Sequence, residues 1–512
     1  MPSVLAGAAE KWTDPGHRLW DALLLIAAAT NVVALWSAPY LPFTDLPQHA
    51  AAIATLRHFD DAAWKSREYF TLALGRSQYL LYYLAGALLA FPFGTAERAN
   101  LVLLSICAVA FPYALRSLLR TMGADPRLAL FAVPLFWSQS LLIGFFNYVA
   151  ALPLLLWALG LSVQEAAAPR AARTALLAAV SVALFYLHLS AFLLFAPAAA
   201  LAQVLLAPHG LGAVARRFVW MVPTVGLGIA FLLTSPVVHP QAVGWNEPVN
   251  VWFEPVRDAL QKLPEALLDI WPGDVDLWMS LGLLGAAVLL VGPRDLRNEG
   301  ARRRFVLAAT WTAMAIALYF AFPISIGWLW QLNERYAIAA ALLLPLLLAP
   351  PRGTRGAVPL LAVFALGIAS AGLAGRQARA FSREVDGFDR VISRAQPGRR
   401  LLGLVYERGS RAAKFAPYLH FGSYYRARGG GIAAFSFAEL PQSPLRYRPE
   451  TEPPRHPLHW EWEPWRFDRV VDGNYYDYVL VRGNVDPFAR AGPGPRYRRI
   501  AHEGLWALYA KE

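Results

Sequence analysis

The chain has 512 residues, 57% hydrophobic and 16% charged, with a mean hydropathy of +0.37. That is more apolar surface than a soluble fold can hide, and it falls in long blocks. The formal net charge of +12 sits as arginines in short connections between those blocks, which marks membrane topology rather than nucleic-acid binding, and the lone Cys107, inside an apolar run, excludes a disulfide framework or a thiolate metal site.

The first apolar block, 19–37, follows Lys11 and Arg18 and lacks a small-residue cleavage site, so it is expected to stay as an uncleaved first helix. Further blocks lie at 97–116, 128–143, 146–164, 172–187, 189–206, 216–237, 276–293, 305–323, 336–350 and 356–374. At about 1.5 Å per residue each can cross a hydrocarbon core of about 30 Å with some tilt or thinning. The connections bearing Arg116, Arg120 and Arg127, then Arg170 and Arg173, then Arg216 and Arg217, then Arg294 to Arg304, then Arg352 and Arg355 are assigned to the cytoplasm. Block 97–116 then enters from outside, so residues 38–96 begin and end outside. The Tyr-rich run "SQYLLYYLAGALLAFPF" (77–93) therefore cannot cross and must lie in the interface or dip in and return. The count is about eleven spans, with the amino terminus cytoplasmic and the carboxy terminus extracytoplasmic.

The outer side collects the polar residues that apolar blocks do not need. "TDLPQH" in the first outer loop, 38–96, carries Asp45 and His49, which share one face if Pro47 opens a helix; Asp45 then either caps that helix or serves as a general base or cation ligand. "GFFNY" (144–148) turns tightly at Asn147, "FYLHLSAF" (185–192) breaks two spans at His188, and the span at 336–350 is entered through Glu334, Arg335 and Tyr336. Polar side chains at the hydrocarbon margin are costly unless they face protein or water, so their gathering on one side predicts a shared cavity. An outer loop at 238–275 offers Trp245 and Trp252 for stacking on a sugar.

From about Arg376 onward apolar runs shorten and strand patterns appear at 400–406, 476–483 and 504–510. The chain thus divides into a membrane domain, 1–375, and a small extracytoplasmic α/β domain, 376–512, whose "PPRHPLHWEWEPWRF" (453–467) is read first as ordinary packing and second as a carbohydrate-stacking segment.

An Asp after the first span (Asp45), a Tyr-rich non-spanning helix in the same loop (78–94) and an Arg-Tyr pair opening a late span ("ERYAIAAALLLPLLL", 334–348) make the chain similar to the GT-C superfamily, in particular the family of protein O-mannosyltransferases and aminoarabinose transferases. The resemblance covers about 370 residues. It implies a membrane all-α GT-C-like bundle in a bacterial cytoplasmic membrane, moving a sugar from a polyprenyl-phosphate donor to an extracytoplasmic acceptor with inversion. Asp45 and His49 are then the catalytic residues and the ligands of a divalent cation if one is used, and Asn147, His188, Glu334, Arg335, Tyr336 and Trp245 bind substrate. One departure stands out: such enzymes often carry a second acidic residue in the next outer turn, where this chain has Asn147. A transporter or flippase of lipid-linked saccharide, a lipid-linked polymer ligase or polymerase, and a non-catalytic GT-C-like protein are the alternatives.

Overall fold

The computed structural model describes residues 15–206, 216–243, 247–490 and 492–512. Its main helices in chain order are α1 (Pro15–Leu35), α2 (Leu46–Arg57), α3 (Leu80–Phe93), α4 (Ala96–Met122), α5 (Phe146–Ala167), α6 (Ala171–Leu187), α7 (Leu189–Leu206), α8 (Val222–Thr234), α9 (Val256–Leu267), α10 (Val275–Leu289), α11 (Glu299–Ala321), α12 (Arg335–Leu343) and α13 (Thr354–Glu384), with a short α14 (Ser423–Gly429) in the outer domain. Six of them, α1, α4, α5, α7, α11 and α13, are long and apolar enough to cross a membrane. Every block assigned from the sequence contains helix, but several are shorter than a span, so the structure supports a multi-pass bundle without fixing the count at eleven.

Two helices differ instructively from expectation. The block at 128–143 is broken: a 3-10 turn over Pro126–Phe131 leads into Ala132–Leu135, and a separate helix follows at Gln139–Ile143. Asn31 of α1 repairs the break, its Nδ2 donating to the Val133 carbonyl at 3.0 Å while its Oδ1 accepts from Trp137 Nε1 at 2.8 Å. Broken backbone at membrane depth is tolerated where protein groups satisfy it in this way. Helix α13, at 31 residues and ~46 Å, is far longer than its apolar block, and its last turns lead to the outer domain.

Helix α3 has 14 residues, about 21 Å of length against a core of about 30 Å, shorter than a straight span, as are α8, α10 and α12. Helix α3 packs on α2 and α4. Contact with α2 is close enough that a Cβ on Gly86 would meet the Ile53 side chain at 2.4 Å.

The outer domain is built on a five-stranded sheet of β2 (Arg400–Val405), β3 (Ile432–Ala433), β5 (Tyr478–Arg482), β6 (Tyr497–Glu503) and β7 (Trp506–Lys511), in the order β3-β2-β5-β7-β6. The central strands β2 and β5 pair in parallel and are almost wholly buried, as their unbroken apolar runs require. Two contacts fasten this domain to the first outer loop. Strand β1 (Phe70–Leu72) of that loop pairs antiparallel with β4 (Leu445–Tyr447) in the register Phe70 to Tyr447, and α14 lies against α2. Arg428 adds an ion pair to Glu97 at the start of α4, 2.7 Å.

Candidate active site

The first outer loop meets the "GFFNY" turn backbone to backbone. Thr44 N–H donates to the Leu142 carbonyl at 3.1 Å and Asp45 N–H to the Ile143 carbonyl at 3.0 Å. Gly144, with φ +107°, lets them approach, since a Cβ there would fall 2.6 Å from Asp45 Cβ and 2.9 Å from Asp45 N.

Asp45 occupies the N-cap position of α2, with Pro47 inside the first turn, yet its side chain caps nothing. Its Oδ1 instead accepts a hydrogen bond from Nδ1 of His420 in the outer domain, at 2.9 Å. Burial opposes a charge on His420, but the bond to Asp45 and the charge of that carboxylate outweigh it and hold the imidazole pKa above its ordinary value. Among the described residues the second carboxylate oxygen, Oδ2, has no hydrogen-bond partner.

His49, one turn on, is packed among rings: stacked on Tyr83 at 5.5 Å and tilted against Phe146 at 4.8 Å. Its Nε2 meets the Gly144 carbonyl at 2.7 Å. Burial drives its pKa down to about 4, so at neutral pH the ring is uncharged, donates from Nε2 and pins α2 to the turn.

Arg335 opens α12 and is buried, with its guanidinium over the Phe145 ring at 4.3 Å and Nη2 donating to the Trp330 carbonyl at 3.1 Å. Its Nη1 lies 3.2 Å from Nε2 of His188, the residue that separates α6 from α7. His188 Nδ1 accepts the Ser190 N–H at 3.1 Å, which places the proton of a neutral ring on Nε2. With that tautomer Arg335 Nη1 and His188 Nε2 are both N–H donors 3.2 Å apart, and one oxygen with two lone pairs, such as a phosphate oxygen, can accept from both.

Asp45, His49, Asn147, His188 and Arg335 all line one cavity of about 560 Å³, together with Tyr79, Tyr83, Tyr148, His420 and a set of aromatic residues from both domains. The structure does not bring Glu334 or Tyr336 there. Glu334 is buried on the other side of its turn, where burial and then the neighbouring Glu254 raise its pKa to about 7, and Tyr336 packs edge-on against Phe322 at 5.6 Å. Trp245 lies outside the described residues. Trp252 is well exposed and does not line this cavity, but it lines an adjoining pocket with Trp330 and His459, which border both. His420, the partner of Asp45, was not foreseen: no spacing rule connects residues 375 positions apart.

The donor set for a divalent cation is a weak one. Asp45 Oδ1 is engaged by His420 and His49 Nε2 by the Gly144 carbonyl, while His49 Nδ1 and Asn147 Oδ1 have no hydrogen-bond partner among the described residues, and Asn147 offers an amide oxygen in place of a second carboxylate. Among the described residues no three His, Cys, Asp or Glu side chains come together as ligands.

No protein-family model matches the chain, and no curated protein matches it. Solved structures do. ArnT from Cupriavidus metallidurans, in the apo state, superposes with a TM-score of 0.57 at 14% identity, over 98% of this chain and 98% of that one. The arabinofuranosyltransferase AftD from Mycobacteria gives a TM-score of 0.48 at 15% identity over 95% of this chain but 39% of its own, and an Archaeoglobus fulgidus oligosaccharyltransferase solved with Zn and sulfate gives 0.41 at 13%, over 90% and 68%. Matched from end to end, membrane helices and outer sheet domain together, the chain shares the fold of that ArnT structure.

Proposed function

We propose that this protein is a membrane glycosyltransferase that moves a sugar from a polyprenyl-phosphate donor to a hydroxyl of an extracytoplasmic acceptor, at the outer face of a bacterial cytoplasmic membrane. One observation carries the proposal: a single cavity is lined both by a carboxylate with an uncommitted oxygen, Asp45, and by the paired donors of Arg335 and His188. Those are the two demands of the reaction, a base for the acceptor and a counter-charge for the leaving phosphate.

The donor phosphate sits against Arg335 and His188, its lipid tail between spans. Asp45 Oδ2 takes the acceptor hydroxyl proton as that oxygen bonds to the anomeric carbon, and the bond from that carbon to the phosphate oxygen breaks, the electron pair leaving with the polyprenyl phosphate. A single displacement inverts the anomeric centre. His420 holds Asp45 in place through Oδ1, and the rings around His49 keep water from the base. No step is routed through a metal.

The test is transfer by purified protein in nanodiscs, with a panel of polyprenyl-phosphate sugars, comparing wild type with Asp45→Asn and Arg335→Ala. Loss of turnover in Asp45→Asn with donor binding kept, and loss of donor binding in Arg335→Ala, are the expected results. Turnover indifferent to Asp45→Asn removes that residue from the chemistry, and lipid-dependent solute uptake into vesicles favours a carrier.

A further inference from the structure

The rim of the cavity carries three aromatic side chains that the proposed chemistry does not use. Trp330 and Phe415 are stacked with centroids 5.8 Å apart and planes at 22°, and Trp462 meets Phe415 edge-on at 5.6 Å. Trp330 and Phe415 are 40% and 38% exposed, so their rings keep open surface at the mouth. They come from both domains: Trp330 from the loop before α12, Phe415 and Trp462 from the outer domain.

Their placement is built in. Phe415 has φ +58°, and Gln331 and His459, flanking Trp330 and Trp460, have φ +49° and +67°. Non-glycine residues in that region are costly and cluster where a surface is held for use. Arg408 fixes the Trp462 ring, lying 5.1 Å over it and donating to its carbonyl at 3.2 Å. The rim is also tied to the reacting groups. Trp330's carbonyl accepts from Arg335, and Phe415 precedes His420, the partner of Asp45, by five residues in one loop. Whatever stacks on these rings is held beside both.

We propose that the rings of Trp330, Phe415 and Trp462 form a stacking platform for the acceptor, and that the acceptor is a carbohydrate; this rests on the glycosyl-transfer proposal. The chemistry of the rim selects that class. A pyranose offers an apolar C–H face to an aromatic ring and hydroxyls around its edge, and the platform is bordered by polar side chains on the same cavity wall, Gln442, His459 and Glu461. A hydrocarbon chain matches the rings but leaves that border unsatisfied. Two of the three rings belong to the outer domain rather than to the apolar helices.

The test uses the full chain in nanodiscs and three probes: chitohexaose, maltohexaose and a Ser/Thr-rich dodecapeptide, with binding read by saturation-transfer difference NMR and tryptophan quenching. Undecaprenyl phosphate binding is measured in parallel. At least one oligosaccharide is expected to bind, weakened about tenfold or more by Phe415→Ala and Trp462→Ala and restored by Trp462→Phe. Asp45→Asn should leave that binding intact. Neither oligosaccharide binding, or binding that ignores both alanine variants, overturns the platform, as does preference for the peptide. Because Phe415 is partly exposed, its truncation is compatible with folding, and unchanged undecaprenyl phosphate binding in Phe415→Ala verifies it. Oligosaccharide binding without undecaprenyl phosphate binding keeps the platform and overturns the donor assignment; the reverse keeps the donor and overturns the platform.

Discussion

Gly144→Ala is a one-carbon change that tests whether Asp45 is held where the reaction needs it. The glycine has φ +107°, and an added Cβ would lie 2.6 Å from Asp45 Cβ, 2.9 Å from Asp45 N and 3.1 Å from Asp45 Cα. None of these atoms is the end of a flexible side chain, so no rotamer change relieves the overlap. Reaching ordinary contact, 3.4 Å or more, requires Asp45 or the turn to move by about 1 Å, and a displacement of that size at a reacting group costs roughly a hundredfold in rate. The left-handed backbone adds ~1–3 kcal/mol of strain, so the melting midpoint should fall by a few degrees. The assay is transfer in nanodiscs, with kcat and donor KM measured separately, beside a thermal melt. The expected result is a kcat lower by about two orders of magnitude with a smaller change in donor KM, because Arg335 and His188 lie on other elements and only the Phe145 ring beneath Arg335 moves with the turn. A Gly144→Ala protein that turns over at more than a third of the wild-type rate would refute the placement of Asp45 as the base. So would equal loss in Gly144→Ala and in an unrelated variant with the same melting midpoint.

Three further changes probe the rest of the site. Arg335→Lys should raise donor KM by ~10- to 100-fold despite keeping the charge, since an ammonium cannot lie flat on Phe145 while also reaching the Trp330 carbonyl; a donor KM within twofold of wild type counts against phosphate binding there. His420→Asn, which removes the imidazole but keeps a hydrogen-bond donor, should lower kcat by about tenfold, less than Asp45→Asn does; an effect equal to that of Asp45→Asn would promote His420 from positioning Asp45 to taking part in the chemistry. Glu439 of the outer domain is an exposed residue whose carboxylate nevertheless sits in a poorly solvated setting that raises its pKa from 4.5 to about 7. The folded state therefore binds a proton that the unfolded chain releases, so this group's contribution to stability falls as pH rises from about 4.5 to about 7 and is flat above that. Glu439→Gln, which retains the bond from Ser436 N–H to Oε1, should stabilise the protein more at pH 8 than at pH 4.5, by about 1 kcal/mol at most because solvent screens so exposed a residue. Melts of the two proteins that stay parallel across that range would contradict a protonated Glu439.

How much of this was legible in the sequence depended on the range of the physics involved. Charge parity and apolar length are local or additive along the chain, so they located the helical blocks; parity also required the run at 77–93 not to cross, and α3 there has 14 residues, close to the lengths of α8 and α10 in blocks read as spans. The polar residues of separate outer turns were expected to share a cavity, and Asp45, Asn147, His188 and Arg335 do. Period-two and continuous apolar patterns located β2, β5 and β7, the strands buried in the centre of the sheet, while the more exposed β6 and the two-residue β3 left no comparable trace. The N-cap preference of Asp before a Pro was a sound local rule that tertiary structure overrode: the position is right, but His420 takes the carboxylate. Glu334 and Tyr336 flank Arg335 in sequence, but successive helical residues point in different directions, and only one of the three faces the cavity.

What no local rule could supply is the share of the outer domain in the site, and here the packing is decisive. Asp45 sits between two supports: the Gly144 turn of the membrane domain below its backbone and His420 of the outer domain against its carboxylate. The same outer domain is fastened to the first loop by the β1–β4 pair, to α2 by α14 and to α4 by the Arg428–Glu97 ion pair. Those three attachments tie the outer domain to the loop and helix that follow Asp45 and to α4, so the loop's position is set jointly by both domains. Separating the domains would leave a partly buried carboxylate without its hydrogen-bond donor and remove the Phe415 and Trp462 wall of the cavity. The outer domain is therefore structurally one half of the cavity, and substitutions in its 415–420 loop should act on the site as directly as substitutions in the helices.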